Sequence, residues 1–161
     1  MPKFVEVPVF TIGELSEKAR DKAHSAYLSD GFDFDHSDNI TTIKSFCDLF
    51  DVTIFAWSVD SCCYSYDATI PQQRDITKRK ALAMVNSWET AQCYFLASVA
   101  CEAIKDTWED GDIKRAIEDA LESMFQACQN DLEYYESVEY FVETCDANEY
   151  TFLESGDMFH V

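Results

Sequence analysis

The sequence predicts an α+β fold, a small antiparallel sheet packed against a cluster of about five helices, one of them long, central and apolar. Three observations predict it. Strand-like and helix-like stretches are segregated rather than strictly alternating. Residues 52–59 and 64–70 are dense in β-branched and aromatic side chains. Elsewhere apolar residues recur every three or four positions. With 161 residues, of which 47% are aliphatic or aromatic, one domain over residues 1–161 is expected.

Taken in order, Lys3 to Thr11 is rich in Val and Phe with Pro8 inside it, which suits an edge strand opening the sheet. Ser16 caps a helix to about Ser29, with Gly31 beyond its end. Asp38 caps a second, striped by Ile40, Ile43, Phe46, Cys47 and Phe50. Val52–Val59 and Tyr64–Ile70 form a hairpin around the Asp60, Ser61, Cys62 corner. After Pro71, Asp75 caps the long helix, apolar on nearly every side from Ala81 to Ile104. Either the rest of the domain wraps that helix, or one face closes a homodimer. Asp112 caps a helix whose single stripe runs from Ile113 through Ala120, Phe125 and Leu132 to Tyr135. Ser137 opens a short helix through Cys145, and Glu149–Leu153 with Met158–Val161 flank a Gly156 turn as a terminal hairpin.

Formal net charge is −19, from 31 acidic and 12 basic residues, well beyond the magnitude of about 2 to 8 that keeps a small domain dispersed. Such a field repels phosphate and anionic lipid, so direct nucleic-acid binding and membrane-surface binding are not expected, and a basic partner is. The longest apolar stretch, Cys93 to Cys101, is far short of the ~18 residues of a membrane span. Seven cysteines without a C-x-x-C pair, and no signal peptide, point to a reducing cytoplasm. Five of them sit on apolar helix faces, where thiols pack as small hydrophobes; Cys62 and Cys63 are adjacent and have no assigned role.

Charge concentrates in the last third, where residues 101–161 hold 17 acidic and 3 basic residues. The stripe on the helix after Asp112 turns Glu118, Asp119, Glu122, Glu133 and Glu136 outward. Glu118 with Glu122, and Glu139 with Glu143, are like-charge pairs one turn apart, which cost a few tenths of a kcal/mol each. Nine carboxylates between Glu109 and Glu136 lie along a helix of about 35 Å, a length over which one DNA strand carries about ten phosphates. The candidate partner-binding residues are therefore Glu109, Asp110, Asp112, Glu118, Asp119, Glu122, Asp131, Glu133, Glu136, Glu139 and Glu143. A solvated acidic face is the plainer reading of the same pattern.

Other constellations carry less. Asp33, Asp35, His36 and Asp38 cluster before the second helix, but an EF-hand fails, since Asp38 stands at its glycine position and Lys44 at its bidentate Glu position. A loop and helix cap explain them. Arg74, Lys78, Arg79 and Lys80, the basic cluster, are expected to pair with carboxylates of the protein itself or of a second copy, a phosphate contact being the alternative. His24 and His160 are isolated, and no Ser or Cys carries a nucleophile signature. No cofactor, metal or enzymatic activity is expected.

The run Glu14-Leu15-Ser16-Glu17-Lys18-Ala19-Arg20-Asp21-Lys22-Ala23 resembles a group of small uncharacterised proteins from tailed phages and prophages. The ending Ala147-Asn148-Glu149-Tyr150-Thr151-Phe152 with its Gly156 turn is similar to that family's closing hairpin. The likeness covers about a third of the chain and brings no activity or catalytic residues. It implies a phage gene expressed in a bacterial cytoplasm, a setting in which small acidic proteins inhibit restriction enzymes and CRISPR effectors by nucleic-acid mimicry. The expectation is a non-enzymatic anti-restriction or anti-CRISPR protein, monomeric or homodimeric, that binds a basic nucleic-acid-binding host protein or ribonucleoprotein complex. The alternative is a structural or assembly protein whose acidity only keeps it dispersed.

Overall fold

A computed structural model describes residues 6–30, 32–73, 76–91, 95–107 and 112–159. Among them six α-helices and one two-stranded antiparallel sheet form, the expected α+β class with a small sheet. By its contacts the chain divides into two compact units, residues Met1–Phe34 with Tyr134–Val161, and residues Asp35–Glu133. Each has its own core.

In the second unit, α2 (Ser37–Asp48) has His36 at its N-cap and begins two residues earlier than an Asp38 cap would place it. Asp38 lies in its first turn and does not cap it; the Asp35 carboxylate instead accepts from the Ser37 amide at 2.8 Å, turning the chain into the helix. β1 (Thr53–Val59) and β2 (Tyr64–Thr69) pair as the anticipated hairpin, with an irregularity between Ile54 and Ala56. Asp60 and Cys63 close the turn by exchanging backbone hydrogen bonds of 2.8 and 3.3 Å.

The single long helix is not what forms. The described helices are α3 (Lys78–Ala91) and α4 (Phe95–Thr107). The Cys101 thiol donates to Asn86 Oδ1 at 3.2 Å, whereas one straight helix would hold those residues about 22 Å apart. The two therefore lie side by side. Packing against each other and against α2 and α5 (Ile113–Tyr135), they bury Val85, Trp88, Leu96, Ala100 and Ile104, which satisfies the apolar sides that had suggested a central position. Thr77 caps α3, its hydroxyl accepting from the Lys80 amide at 3.3 Å; Asp75, the expected cap, and Arg74 fall outside the described residues. Lys78, Arg79 and Lys80 form the first turn of α3.

In the first unit, α1 (Glu17–Ser29) is capped by the Ser16 hydroxyl and α6 (Val138–Ala147) by that of Ser137. Lys3 to Val5 of the expected opening strand lie outside the described residues; among those described the strand is one bridge, in which Phe10 and Phe152 exchange backbone hydrogen bonds of 2.9 and 2.8 Å. Pro8 has no amide to donate, and Val7 and Val9 stay exposed. Among the described residues the closing hairpin is likewise a Phe152–Met158 bridge around the turn at Gly156, with His160 and Val161 outside them. Ile12, Leu15, Ala19, Phe141, Cys145 and Phe152 make this unit's core.

Cys47, Cys101, Cys128 and Cys145 are buried, and Cys62 and Cys63 are exposed at the hairpin tip with their sulfurs 3.7 Å apart; Cys93 lies outside the described residues. Burial pushes the thiols of Cys47 and Cys128 up to about 12 and that of Cys145 to about 11. Under native conditions a thiol reagent is expected to modify Cys62 and Cys63 first and to reach the four buried thiols only on unfolding, as mass spectrometry of peptides would record. No helix of the described residues is long and apolar enough to cross a membrane.

Candidate acidic interface

The expected carboxylates divide between the units. Asp112, Glu118, Asp119, Glu122, Asp131 and Glu133 belong to the second unit, and Glu136, Glu139 and Glu143 to the first. Glu109, Asp110 and His160 lie outside the described residues. Glu118, Glu122, Glu133, Glu139 and Glu143 are exposed; Asp119, Asp131 and Glu136 are half-buried. Glu136 is not on α5, which ends at Tyr135; its carbonyl accepts from His24 Nε2 at 2.9 Å. His24 is thus not isolated, and it also packs 5.3 Å from the Phe141 ring.

The stripe on α5 is as anticipated, with Ile113, Ala116, Ile117, Ala120, Leu121, Met124, Phe125, Cys128 and Leu132 buried. Asp112 accepts from the Lys114 and Arg115 amides at 3.1 and 3.4 Å, a helix cap. One turn on, Lys114 reaches Glu118 at 3.6 Å and Arg115 reaches Asp119 at 4.0 Å. Exposed pairs of this kind contribute only about 0.3–0.5 kcal/mol, yet they neutralise part of the row.

Glu122 is held differently. The Tyr64 hydroxyl donates to its Oε1 at 2.5 Å and the Tyr66 hydroxyl to its Oε2 at 3.3 Å. Both tyrosine rings stack over Phe125, at 6.3 and 4.7 Å between centroids. The chain of cause runs from core to surface: buried Phe125 fixes two rings, and the rings fix one carboxylate. A concavity of about 550 Å³ lies beside it, lined by Tyr64, Tyr66, Asp67, Ile70, Glu118 and Glu122. Glu122 also borders a second hollow with Ser123, Gln126 and Asn130.

Burial, and then the neighbouring Glu122 carboxylate, push both Tyr64 and Tyr66 up to about 12. The folded-state values exceed the ordinary value of about 10, so the neutral hydroxyls' contribution is complete below pH 10 and is lost as pH rises toward 12. In an alkaline titration followed by phenolate absorbance, Tyr64 and Tyr66 are expected to be among the late-ionising tyrosines, with Tyr27 and Tyr134 also raised, and Glu122→Gln is expected to bring Tyr64 and Tyr66 earlier.

Beyond Glu122 the outward row is interrupted. Gln126 donates to Asn130 at 3.0 Å and Gln129 to the Ser61 carbonyl at 3.2 Å, so α5 presents two acidic groups separated by amides. In the first unit, Tyr134 donates to Glu143 at 2.9 Å and Tyr134, Tyr135 and Tyr140 meet edge to face at 4.5–5.9 Å. Both pairs counted as repulsive in the sequence therefore include a carboxylate bonded to tyrosine. The i, i+2 spacing of Tyr64 and Tyr66 on a strand was the available signal for the first clamp; nothing local announced the second.

Asp33, Asp35, His36 and Asp38 do not converge, and among the described residues no group of three or more His, Cys, Asp or Glu side chains is arranged to hold a metal ion. The chain matches no protein-family model, no curated protein and no solved structure.

Proposed function

We propose that this protein is a non-catalytic acidic inhibitor that binds a basic, nucleic-acid-binding host protein or ribonucleoprotein complex, its carboxylates standing where phosphates would. The observation that carries this reading is Glu122, clamped by two tyrosine hydroxyls at the edge of a concavity that also holds Glu118 and Asp67. A carboxylate already fixed loses little freedom on meeting lysine or arginine, so more of the attraction appears as affinity. The surrounding charge of −19 steers basic surfaces toward it and raises the association rate. The likeness of Glu14–Ala23 and Ala147–Phe152 to tailed-phage proteins supports a host defence complex, of the restriction or CRISPR type, as the target, in the bacterial cytoplasm.

The test is recovery of partners by the tagged protein from bacteria carrying restriction and CRISPR systems, across a salt series. A nucleic-acid-binding complex that salt releases steeply and that DNA or guide RNA displaces is the expected result. Recovery that nucleic acid does not displace would sink the mimicry.

A second reading, an assembly protein acting as a homodimer, is favoured by one feature: Phe55 and Trp57 of β1 are 66% and 40% exposed. Sedimentation at micromolar concentration checks it, and a strict monomer removes it.

A further inference from the structure

We propose that a cavity in the first unit, between the end of α1 and the Gly156 turn, is a seat for an arginine side chain of the basic partner. This rests on the reading above and adds which side chain is taken and where. The cavity holds about 500 Å³, and Tyr27, Asp30, Phe32, Phe152, Asp157 and Met158 contribute its lining; that is within the range of about 300 to 1,000 Å³ of small-molecule pockets, ample for one side chain.

Its chemistry selects a flat cation. The Tyr27 ring is held between Phe32 at 5.7 Å and Phe141 at 5.1 Å, which gives an ordered aromatic wall. Asp157 is already engaged, by Lys22 at 2.6 Å and the Ser155 hydroxyl at 2.7 Å. Asp30 is exposed and, among the described residues, makes no ion pair. It is also the C-cap of α1, where the helix presents its negative end and favours a cation.

Aromatic faces, a carboxylate and a helix C-terminus agree on positive charge. An anion would meet Asp30, Asp157 and the negative field. A neutral apolar side chain would cover Asp30 without pairing it, which is costly. Between the two cationic side chains, the guanidinium lies flat on a ring while its fork meets a carboxylate, whereas the ammonium is a strongly hydrated point charge.

The test is calorimetric titration of the full chain with an oligoarginine peptide and with an oligolysine peptide of equal length. Oligoarginine is expected to bind more tightly. Ala26→Trp, at the exposed lip of the cavity, and Asp30→Asn are each expected to weaken oligoarginine by about fivefold and to erase the preference, with thermal melting unchanged. If both variants keep the wild-type affinity and preference, binding runs on general charge and the seat is wrong while the basic-partner reading stands. If neither peptide binds the wild-type protein at low salt, that reading falls as well.

Discussion

Reversing Glu118, Glu122, Glu133 and Glu136 to lysine is expected to weaken partner binding by at least about a hundredfold at physiological salt, equivalent to roughly 3 kcal/mol. Four reversals of two units each take the net charge from −19 to −11, so the chain stays strongly acidic. The effect comes from where the charges sit. Lysine at position 122 replaces a carboxylate clamped by Tyr64 and Tyr66 with a like charge facing a basic surface. None of the four is buried, so circular dichroism and melting should show the fold retained. Glu122→Gln keeps an acceptor for the tyrosines and should weaken binding only in part. An affinity that the four reversals leave unchanged, measured with the captured partner at two salt concentrations, would falsify the proposed interface.

The largest expected loss of stability is at Gly156. Its φ of +87° is one that L side chains rarely adopt, and a Cβ there would stand 2.1 Å from the Ala19 carbonyl oxygen of α1. That contact is with backbone, so either α1 or the closing turn must move. Gly156→Ala is expected to cost on the order of 3 kcal/mol or more, lowering the first unit's melting by about 10 °C or more. Gly13 provides the control, since nothing lies within 4 Å of its added Cβ; Gly13→Ala should stay within about 0.5 kcal/mol. Near-ultraviolet dichroism and limited proteolysis would follow the loss, and equal behaviour of the two variants would contradict this account.

The α+β class, the β1–β2 hairpin and the buried stripe of α5 were legible because periodicity reports burial directly, and the Ser16, Ser137 and Asp112 caps because they act within three residues. Helix ends were harder. Asp51, just after α2, and Glu149, just after α6, take positive φ of 54° and 53°, where glycine is the usual signal and none is present. The reversal between α3 and α4 had no proline or glycine to mark it, since Ala81–Ile104 contains neither. Mutual burial decides it, and burial between distant segments has no local trace. The same limit applies to the site. The sequence told which carboxylates face outward along α5, but Tyr64 and Glu122 are brought together only by the packing of the hairpin on Phe125.

The amides in the middle of α5 turn that helix into a ruler. Glu122 and Glu133 are separated by about 16 Å at 1.5 Å per residue, or roughly five phosphate steps of a single strand, and between them Gln126, Gln129 and Asn130 are committed to neutral hydrogen bonds. A partner that meets both ends of this helix must carry its own basic residues at that interval. Basic proteins with the same total charge but another spacing would be turned away, so selectivity would reside partly in the uncharged stretch of helix from Ser123 to Asn130.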